Sequence, residues 1–293
     1  MRRQSDKVLF NIIGYLIIGT FAILCILPFW LLITGSFMTQ KEITLQGYRL
    51  WPSLWSGEAY QLLFKTASNL MQAYGVTICV TAIGTTLGLF LTAMTAYVLN
   101  CKDFKFRNYF AFYFYFTTLF SGGLVPWYIL MVKYLHMKNS YLALIVPLLL
   151  NVFHIIIMRT FISAIPGEIR ESATIDGAGD FTIFFRLTLP LLKPALATIG
   201  LFIALGYWND WFNTMLFIDK SSMYNLQYYL YQTLSKMEFL NYAASNAGIT
   251  ITDIPSDAYK MAITIVTTGP IVLLYPFVQR YFVKGITLGA VKG

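Results

Sequence analysis

The chain has 293 residues, 57% of them hydrophobic and 12% charged, and carries a net charge of +8. Soluble domains carry about 25% charged residues, so this composition excludes an ordinary soluble protein and favours a chain that crosses a membrane several times. The basic residues form no dense patch of the kind that binds nucleic acid. An excess of Lys and Arg on the cytoplasmic side of a membrane explains the charge better.

The cysteines and histidines are too scattered for a disulfide framework or a metal centre. Cys25, Cys79 and Cys101 are far apart and form no C-x-x-C pair. His136 and His154 stand alone, whereas a metal cluster would need further ligands close by. We therefore predict no disulfide, redox or metal chemistry in this chain.

The first apolar segment, residues 8–33, follows the basic start Met1-Arg2-Arg3. Signal peptides begin similarly, but their apolar region has about 7–15 residues and precedes a small-residue cleavage site. This segment is longer and no such site follows it. It is therefore predicted to remain as the first membrane-spanning helix.

Six apolar segments each approach the roughly 17–25 residues that cross a bilayer as a helix. Because lipid offers no partner to free backbone groups, they are predicted to be α-helical, which makes the fold class all-α and polytopic, with one transmembrane domain over 1–293. With the N-terminus inside, more of the 21 Lys and Arg lie on the cytoplasmic side, so both termini are predicted to be cytoplasmic. The predicted spans are about 8–33, 76–99, 109–132, 141–158, 195–218 and 261–282.

Three longer segments between the spans are predicted to lie outside the bilayer. Residues 34–75 and 219–260 face the outside, and residues 159–194 lie in the cytoplasm. The aromatic residues of the outer segments suit either interfacial anchors or a docking surface for a partner.

The second span carries small residues at a spacing of four. Thr81, Gly84, Thr85, Gly88 and Thr92 would allow a second helix to approach closely. The pattern leaves open whether that helix belongs to this chain or to another subunit.

The fifth span contains the sequence Trp208-Asn209-Asp210. An ionisable residue within a span is costly and indicates a functional site. Asp210, however, lies near the predicted outer end of the span, where water or lipid headgroups can reach it. Both a pathway role and a simple interfacial position are therefore open.

The cytoplasmic segment 159–194 predicts a short helix that ends at a glycine. Pro166 suits the first turn, where a missing N–H is harmless, and Glu168 and Glu171 suit the positive end of the helix dipole. Gly177 stands where a residue with positive φ would end the helix.

A second short helix is predicted directly after this turn. Asp180 is expected to cap a helix over 181–187, and Pro190 and Pro194 are expected to end it and lead the chain into the fifth span. These residues alone are also compatible with an amphipathic segment that lies in the lipid headgroups.

Within this segment, Glu171-Ser172-Ala173 is followed by Asp176-Gly177-Ala178 and then by Leu187-x-Leu189-Pro190. The spacing resembles the EAA loop of the permease subunits of binding-protein-dependent ABC importers. The loop also lies between the fourth and fifth spans, as it does in that family. Ser172 replaces the middle alanine of the signature, a change from one small residue to another.

The resemblance extends over nearly the whole chain. Six spans, the Trp208-Asn209-Asp210 sequence and a basic tail that ends at 289–293 are similar to carbohydrate-uptake permeases, and in particular to the six-helix partner subunit of maltose-type importers. The sequence at 275–285 resembles most closely the branch that handles complex saccharides.

This resemblance implies a type I ABC importer permease fold in the cytoplasmic membrane of a bacterium. It also implies a second permease subunit, two ATPase subunits and an extracytoplasmic solute-binding protein as partners, with a saccharide as substrate. ATP and Mg²⁺ would belong to the ATPase, since this chain has no G-x-x-x-x-G-K-[ST] sequence and is not expected to be an enzyme. Trp208, Asn209 and Asp210 would be candidates for the pathway. The surface that couples to the ATPase would consist of Glu168, Glu171, Ser172, Ala173, Asp176, Gly177 and Ala178.

Two other classes of protein are alternatives to a permease subunit. An ion-coupled secondary transporter would place ionisable residues deep in its spans and often contain internal repeats, but only Asp210 lies in a span and no repeat is evident. A membrane-embedded enzyme would need a cluster of His, Asp or Cys at one membrane face. Co-purification with an ATPase would separate the importer from both.

Overall fold

The computed structural model describes residues 2–65, 67–246 and 257–273, and these residues form helices and connecting turns without a strand. The predicted all-α class is confirmed for this part of the chain. Leu130–Tyr134 and Ile183–Thr188 are π-helical, and Val146–Leu148 and Ser221–Met223 are 3-10 turns. The α-helices are α1 (Arg2–Ser36), α2 (Gln40–Gln46), α3 (Glu58–Lys65), α4 (Ala67–Asn100), α5 (Arg107–Leu119), α6 (Leu124–Ile129), α7 (Leu142–Ile145), α8 (Val152–Ser163), α9 (Gly167–Ile175), α10 (Asp180–Thr182), α11 (Leu189–Leu191), α12 (Lys193–Trp208), α13 (Phe212–Phe217), α14 (Leu226–Asn246) and α15 (257–273).

The first two predicted spans are single long helices. Leu9–Ser36 and Ala67–Asn100 are each long and apolar enough to cross a membrane. None of the apolar window of the first is buried, whereas 39% of that of the second is. The second helix therefore contributes to the interior of its own unit.

The third predicted span, 109–132, is not one straight helix. Arg107–Leu119 and Leu124–Tyr134 meet at an angle of 115°. Between them lies Gly122-Gly123, and Gly123 has a φ of +85°, a conformation that a right-handed helix cannot contain. Two consecutive glycines therefore break the helix, and the chain forms either a broken span or a re-entrant loop.

The fourth predicted span, 141–158, is also bent. Leu142–Leu148 and Val152–Ser163 meet at 52°. The Asn151 side chain accepts a hydrogen bond of 2.9 Å from the Phe153 N–H and so begins α8 as a new helix.

The fifth predicted span, 195–218, is shorter than expected. Helix α12 ends at Trp208, and α13 begins only at Phe212. At its other end, α12 meets the preceding helical run Asp180–Leu191 at 83°.

Pro190 does not end the second helix of the cytoplasmic segment as predicted. It lies in the first turn of α11, where its missing N–H is tolerated, and the π-helical stretch Ile183–Thr188 precedes it. The helical run therefore continues to Leu191, and Pro194 occupies the first turn of α12.

The sixth predicted span, 261–282, is described only in its first part. Helix α15 covers residues 257–273. Residues 274–282, and the sequences at 275–285 and 289–293 that resemble carbohydrate-uptake permeases, lie outside the described residues. The span count of six and the single transmembrane domain remain predictions. The contacts group the chain into two compact units, Met1–Ala67 with Gln232–Pro270, and Ser68–Tyr231 with Ile271–Gly293.

In the first unit, hydrogen bonds fold the segment after α1 back on the helix end. The Thr34 hydroxyl, which is 1% exposed, lies 3.0 Å from the Arg49 carbonyl oxygen. The Glu42 carboxylate accepts a hydrogen bond of 2.7 Å from the Ser53 N–H, and this bond holds the pKa of Glu42 below its ordinary value. Polar partners within the segment therefore define its shape.

An amide clamp joins this segment to the start of α15. The Gln40 amide donates to the Asp257 carboxylate at 2.9 Å and accepts from the Asp257 N–H at 3.0 Å. Lys260 lies 3.3 Å from the same carboxylate. The clamp joins parts of two segments that are far apart in sequence and were both predicted to face the outside.

The second unit has a core built on α4, α8 and α12. Gly84 of α4 lies against the ring of Tyr207, and Gly88 lies against the Leu149 carbonyl group and Ile203. The Tyr207 hydroxyl donates a hydrogen bond of 2.7 Å to the Ile145 carbonyl oxygen. The close helix contact predicted from Gly84 and Gly88 is therefore made within this chain, and not with a second subunit.

Candidate functional site

The helix α9 is the central element of the cytoplasmic segment, and a glycine ends it. Gly177 has a φ of +81°, as predicted. Its N–H donates to the Thr174 carbonyl oxygen at 3.0 Å, and the Ala178 N–H donates to the Ala173 carbonyl oxygen at 2.9 Å. These two bonds form a Schellman motif, which satisfies the carbonyl groups at the helix end and turns the chain sharply.

The predicted coupling residues divide between two faces of this segment. Ala173 and Ala178 are half-buried and pack against the core of the second unit. The outward residues are Glu168, Glu171, Ser172, Asp176 and Gly177. The structure brings all of them into one short helix and its turn, but only the outward set is free to meet a partner.

Ile175 completes the outward face and was missed in the sequence. Its side chain is 85% exposed. Glu168, Glu171, Ser172 and Ile175 stand at positions i, i+3, i+4 and i+7 and so share one helix face. That spacing is the signal that could have identified Ile175. Protein interfaces have an apolar core and a polar rim, and Ile175 with its polar neighbours has that arrangement.

Arg170 anchors α9 and was also missed. Its guanidinium lies 3.0 Å from the Asp103 carboxylate, in the turn after α4, and 3.5 Å from the Asp180 carboxylate. Asp180 was predicted to cap the second helix, but Gly179 precedes that helix and the Asp180 side chain makes no cap hydrogen bond. The carboxylate faces Arg170 instead, so one cation joins α9 to the turn after α4 and to the start of α10.

Behind α9 lies a cavity of about 680 Å³. Its walls include Tyr97 and Asn100 of α4, Arg170 of α9 and Leu187 of the π-helical stretch. The Ser163 hydroxyl donates to the Asn100 amide oxygen at 2.9 Å and ties the end of α8 to the end of α4. Side chains from the ends of several helices thus surround the cavity beside α9.

The sequence Trp208-Asn209-Asp210 lies at the break between α12 and α13. Trp208 is 6% exposed, and its indole N–H has no hydrogen-bond partner within the described part of the chain. The Asn209 side chain is exposed. The Asp210 carboxylate accepts hydrogen bonds from the N–H and the side-chain amide of Asn213, at 3.2 and 3.1 Å.

Asp210 therefore has a structural role at this break. Its carboxylate holds the first turn of α13, and its carbonyl group accepts a hydrogen bond from the Asn225 side chain. The three residues do not converge on one point: Trp208 points into the protein, Asn209 is exposed, and Asp210 serves the local backbone. In the described residues, no three His, Cys, Asp or Glu side chains lie close enough to hold a metal ion.

No protein-family model matches the chain. Several known proteins and a solved structure are similar to it. The polygalacturonan/rhamnogalacturonan transport system permease protein YtcP of Bacillus subtilis is 39% identical over 285 residues, which cover 97% of this chain and 99% of that protein. Protein LplC of Bacillus subtilis is 37% identical over 97% of this chain and 95% of its own length. The arabinooligosaccharides transport system permease protein AraQ of Halalkalibacterium halodurans is 29% identical over the full length of both.

The structural comparison agrees with the sequence comparison. A chain from a bacterial ABC transporter involved in the import of the acidic polysaccharide alginate superposes with a TM-score of 0.82 and 28% sequence identity. The match covers 95% of this chain and 98% of that one. The helical breaks described above thus belong to an architecture that a solved transporter shares.

Proposed function

Because the chain belongs to the family of permease subunits of ABC sugar importers, we propose that it carries an oligosaccharide across the cytoplasmic membrane as one of two permeases in such an importer. The observation that supports this most strongly is the 39% identity with a polygalacturonan/rhamnogalacturonan permease over almost the whole of both chains. The alternative of an ion-coupled secondary transporter has no support from these relatives.

In this proposal the chain works with a second permease, two ATPase subunits and an extracytoplasmic binding protein. ATP and Mg²⁺ are held by the ATPase subunits, and the permease itself catalyses no reaction. The protein alternates between an inward-open and an outward-open conformation, and closure of the ATPase favours one of them. The outer segments 34–75 and 219–260 face the binding protein.

The coupling surface is the outward face of α9 and its glycine turn. Glu168, Glu171, Ser172, Asp176 and Gly177 meet the ATPase, with Ile175 at the centre, while Ala173 and Ala178 hold the segment against the core. The contacts of Arg170 with Asp103 and Asp180 support this role, because they let α9 transmit a displacement to the end of α4 instead of bending away from it.

Uptake by vesicles tests the proposed function. The purified complex is reconstituted with binding protein outside and ATP inside, and galacturonan-, alginate- and arabinan-derived oligosaccharides are offered. We expect uptake of at least one of them that requires hydrolysable ATP and persists when an ionophore removes ion gradients. Uptake that persists with a non-hydrolysable ATP analogue but stops with the ionophore would establish the secondary transporter instead.

Cysteine labelling tests the proposed orientation. In a variant without Cys25, Cys79 and Cys101, a cysteine introduced at Lys7 should be protected from an impermeant maleimide in intact cells and react after lysis. A cysteine at Lys220, in a segment placed outside, should react in intact cells and serves as the matched control. Reaction at Lys7 from the outside would reverse the orientation.

A further inference from the structure

Four aromatic rings form one continuous surface beside the break between α12 and α13. Tyr231 stacks on Trp211, with ring centroids 4.8 Å apart, and lies 6.2 Å from Tyr228 at an interplanar angle of 23°. Tyr224 meets Tyr228 edge-on at 4.8 Å. Tyr228 and Tyr231 are three residues apart in α14 and so lie on one side of the helix, and Tyr224 lies in the extended segment just before it.

The backbone under the aromatic surface is fixed by hydrogen bonds. The Asn225 side chain accepts from the Tyr228 N–H at 2.9 Å and donates to the Asp210 carbonyl group. The buried Thr77 hydroxyl of α4 accepts from the Leu226 N–H at 2.8 Å. The rings are therefore held in place before any ligand arrives, as a binding site requires.

The rings remain accessible and keep unused polar groups. Tyr231 is 46% exposed and Trp211 39% exposed. The Tyr224 hydroxyl lies 3.4 Å from the Asp219 carbonyl oxygen, whereas the hydroxyls of Tyr228 and Tyr231 make no hydrogen bond within the described part of the chain. The surface thus offers flat apolar faces with free hydroxyl groups at their edges.

We propose that the aromatic surface of Trp211, Tyr224, Tyr228 and Tyr231 binds the transported oligosaccharide, whose sugar rings stack on the aromatic faces. A sugar ring has the complementary character, since its C–H groups form apolar faces and its hydroxyls surround the rim. The proposal rests on the proposed function, which supplies a saccharide as the ligand.

A lipid-facing role fits the arrangement less well. Interfacial anchors place their amphipathic rings at the level of the lipid headgroups and do not require a hydrogen-bonded polar group behind them. Here the rings adjoin each other, and Asp210 lies next to them and accepts hydrogen bonds from the Asn213 side chain at its carboxylate and from the Asn225 side chain at its backbone carbonyl. Such a polar base is costly in hydrocarbon but suits a site that faces a hydrated path.

The test measures saccharide binding to the purified complex without the binding protein, by calorimetry. The probes are the three oligosaccharides named above, beginning with one that wild-type vesicles take up. Tyr231→Ala is expected to weaken binding by about two- to tenfold, because an aromatic stack contributes about 0.5–1.5 kcal/mol. Tyr231→Phe, which keeps the ring and loses only the hydroxyl, should bind more tightly than Tyr231→Ala.

Tyr141→Ala is the matched control. Tyr141 has an exposed fraction of 46%, equal to that of Tyr231, but joins no ring pair in the described residues. The complex with Tyr141→Ala should bind the oligosaccharide as tightly as the wild type. Unchanged binding in Tyr231→Ala would overturn the proposal, and so would an equal loss of membrane-inserted protein in Tyr231→Ala and Tyr141→Ala, which would identify both rings as anchors. If wild-type vesicles take up none of the three saccharides, the proposed function itself fails, and this proposal with it.

Discussion

Replacing Gly177 with valine is expected to leave the permease in the membrane and to uncouple it from the ATPase. Gly177 has a φ of +81°, which a β-branched residue reaches only with strain of about 1–3 kcal/mol. No neighbouring atom lies within 4 Å of the place where a Cβ would stand, so the effect comes from the backbone alone. The Schellman turn would open, and α9 would lose the geometry that presents its outward face.

The measurement is the stimulation of ATP hydrolysis by the loaded binding protein in reconstituted vesicles at equal permease content. A strain of about 1–3 kcal/mol corresponds to a loss of about five- to 150-fold in the coupling equilibrium. We therefore expect a large loss of stimulation, with basal hydrolysis and membrane content close to the wild type.

Two variants of the same turn serve as controls for Gly177→Val. Gly179 also has open space around it, but its φ is −74°, which any residue adopts. Gly179→Ala should therefore retain the stimulation. Gly177→Asn should retain most of it, since asparagine tolerates positive φ better than other residues. Full stimulation in Gly177→Val would show that this turn is not the coupling element.

Replacing Gly84 with alanine is expected to destabilise the chain itself. A Cβ at this position would lie 2.7 Å from Cε1 of Tyr207 and closer still to two other ring atoms. The ring cannot move aside easily, because Tyr207 is 1% exposed and its hydroxyl is bonded to the Ile145 carbonyl group. Overpacking of this kind costs about 1–3 kcal/mol.

The stability of the detergent-solubilised protein, followed by thermal unfolding, is the measurement for Gly84→Ala. Gly75 lies on the same helix with nothing within 4 Å, so Gly75→Ala should leave stability unchanged or raise it slightly. Combining Gly84→Ala with Tyr207→Leu should cost less than the sum of the two single changes, because the clash disappears with the ring. Equal stability of Gly84→Ala and Gly75→Ala would mean that the two helices do not pack here.

The membrane character of the chain and the shape of the turn at Gly177 could be predicted from the sequence because their causes are local. The apolar runs of 8–33 and 76–99 are long enough to cross a bilayer, and each lies within one long helix in the structure. Gly177 was predicted to have positive φ from its place after a helical segment, and a turn of this kind involves only a few neighbouring residues. The importer family followed from the fixed spacing around that glycine.

Other local sequence signals for helix breaks, ends and caps led to wrong predictions, because each was opposed by a second signal. Gly122-Gly123 could have predicted the break in the third span, yet the long apolar run suggested a continuous helix. Pro190 was expected to end a helix, but a π-helical stretch before it lets the helical run continue. Asp180 has the side chain of a good cap, but Arg170 attracts its carboxylate. In each case two local preferences favoured different structures, and the packing of the folded chain determined which of them formed.

The partners of side chains across the chain were decided only by the tertiary structure. The small residues Gly84 and Gly88 predicted a close helix contact, but nothing in their spacing could say that Tyr207 and Leu149 would provide it. Arg170 and Asp103 likewise carry no mutual sequence signal, since they are brought together by the packing of α4 and the cytoplasmic segment. Periodicity and turn chemistry act over a few residues, whereas such contacts depend on where whole helices lie. The sequence alone therefore determined the apolar segments, the turn at Gly177 and the resemblance to the importer family, and the tertiary structure decided where the helices break and which contacts join them.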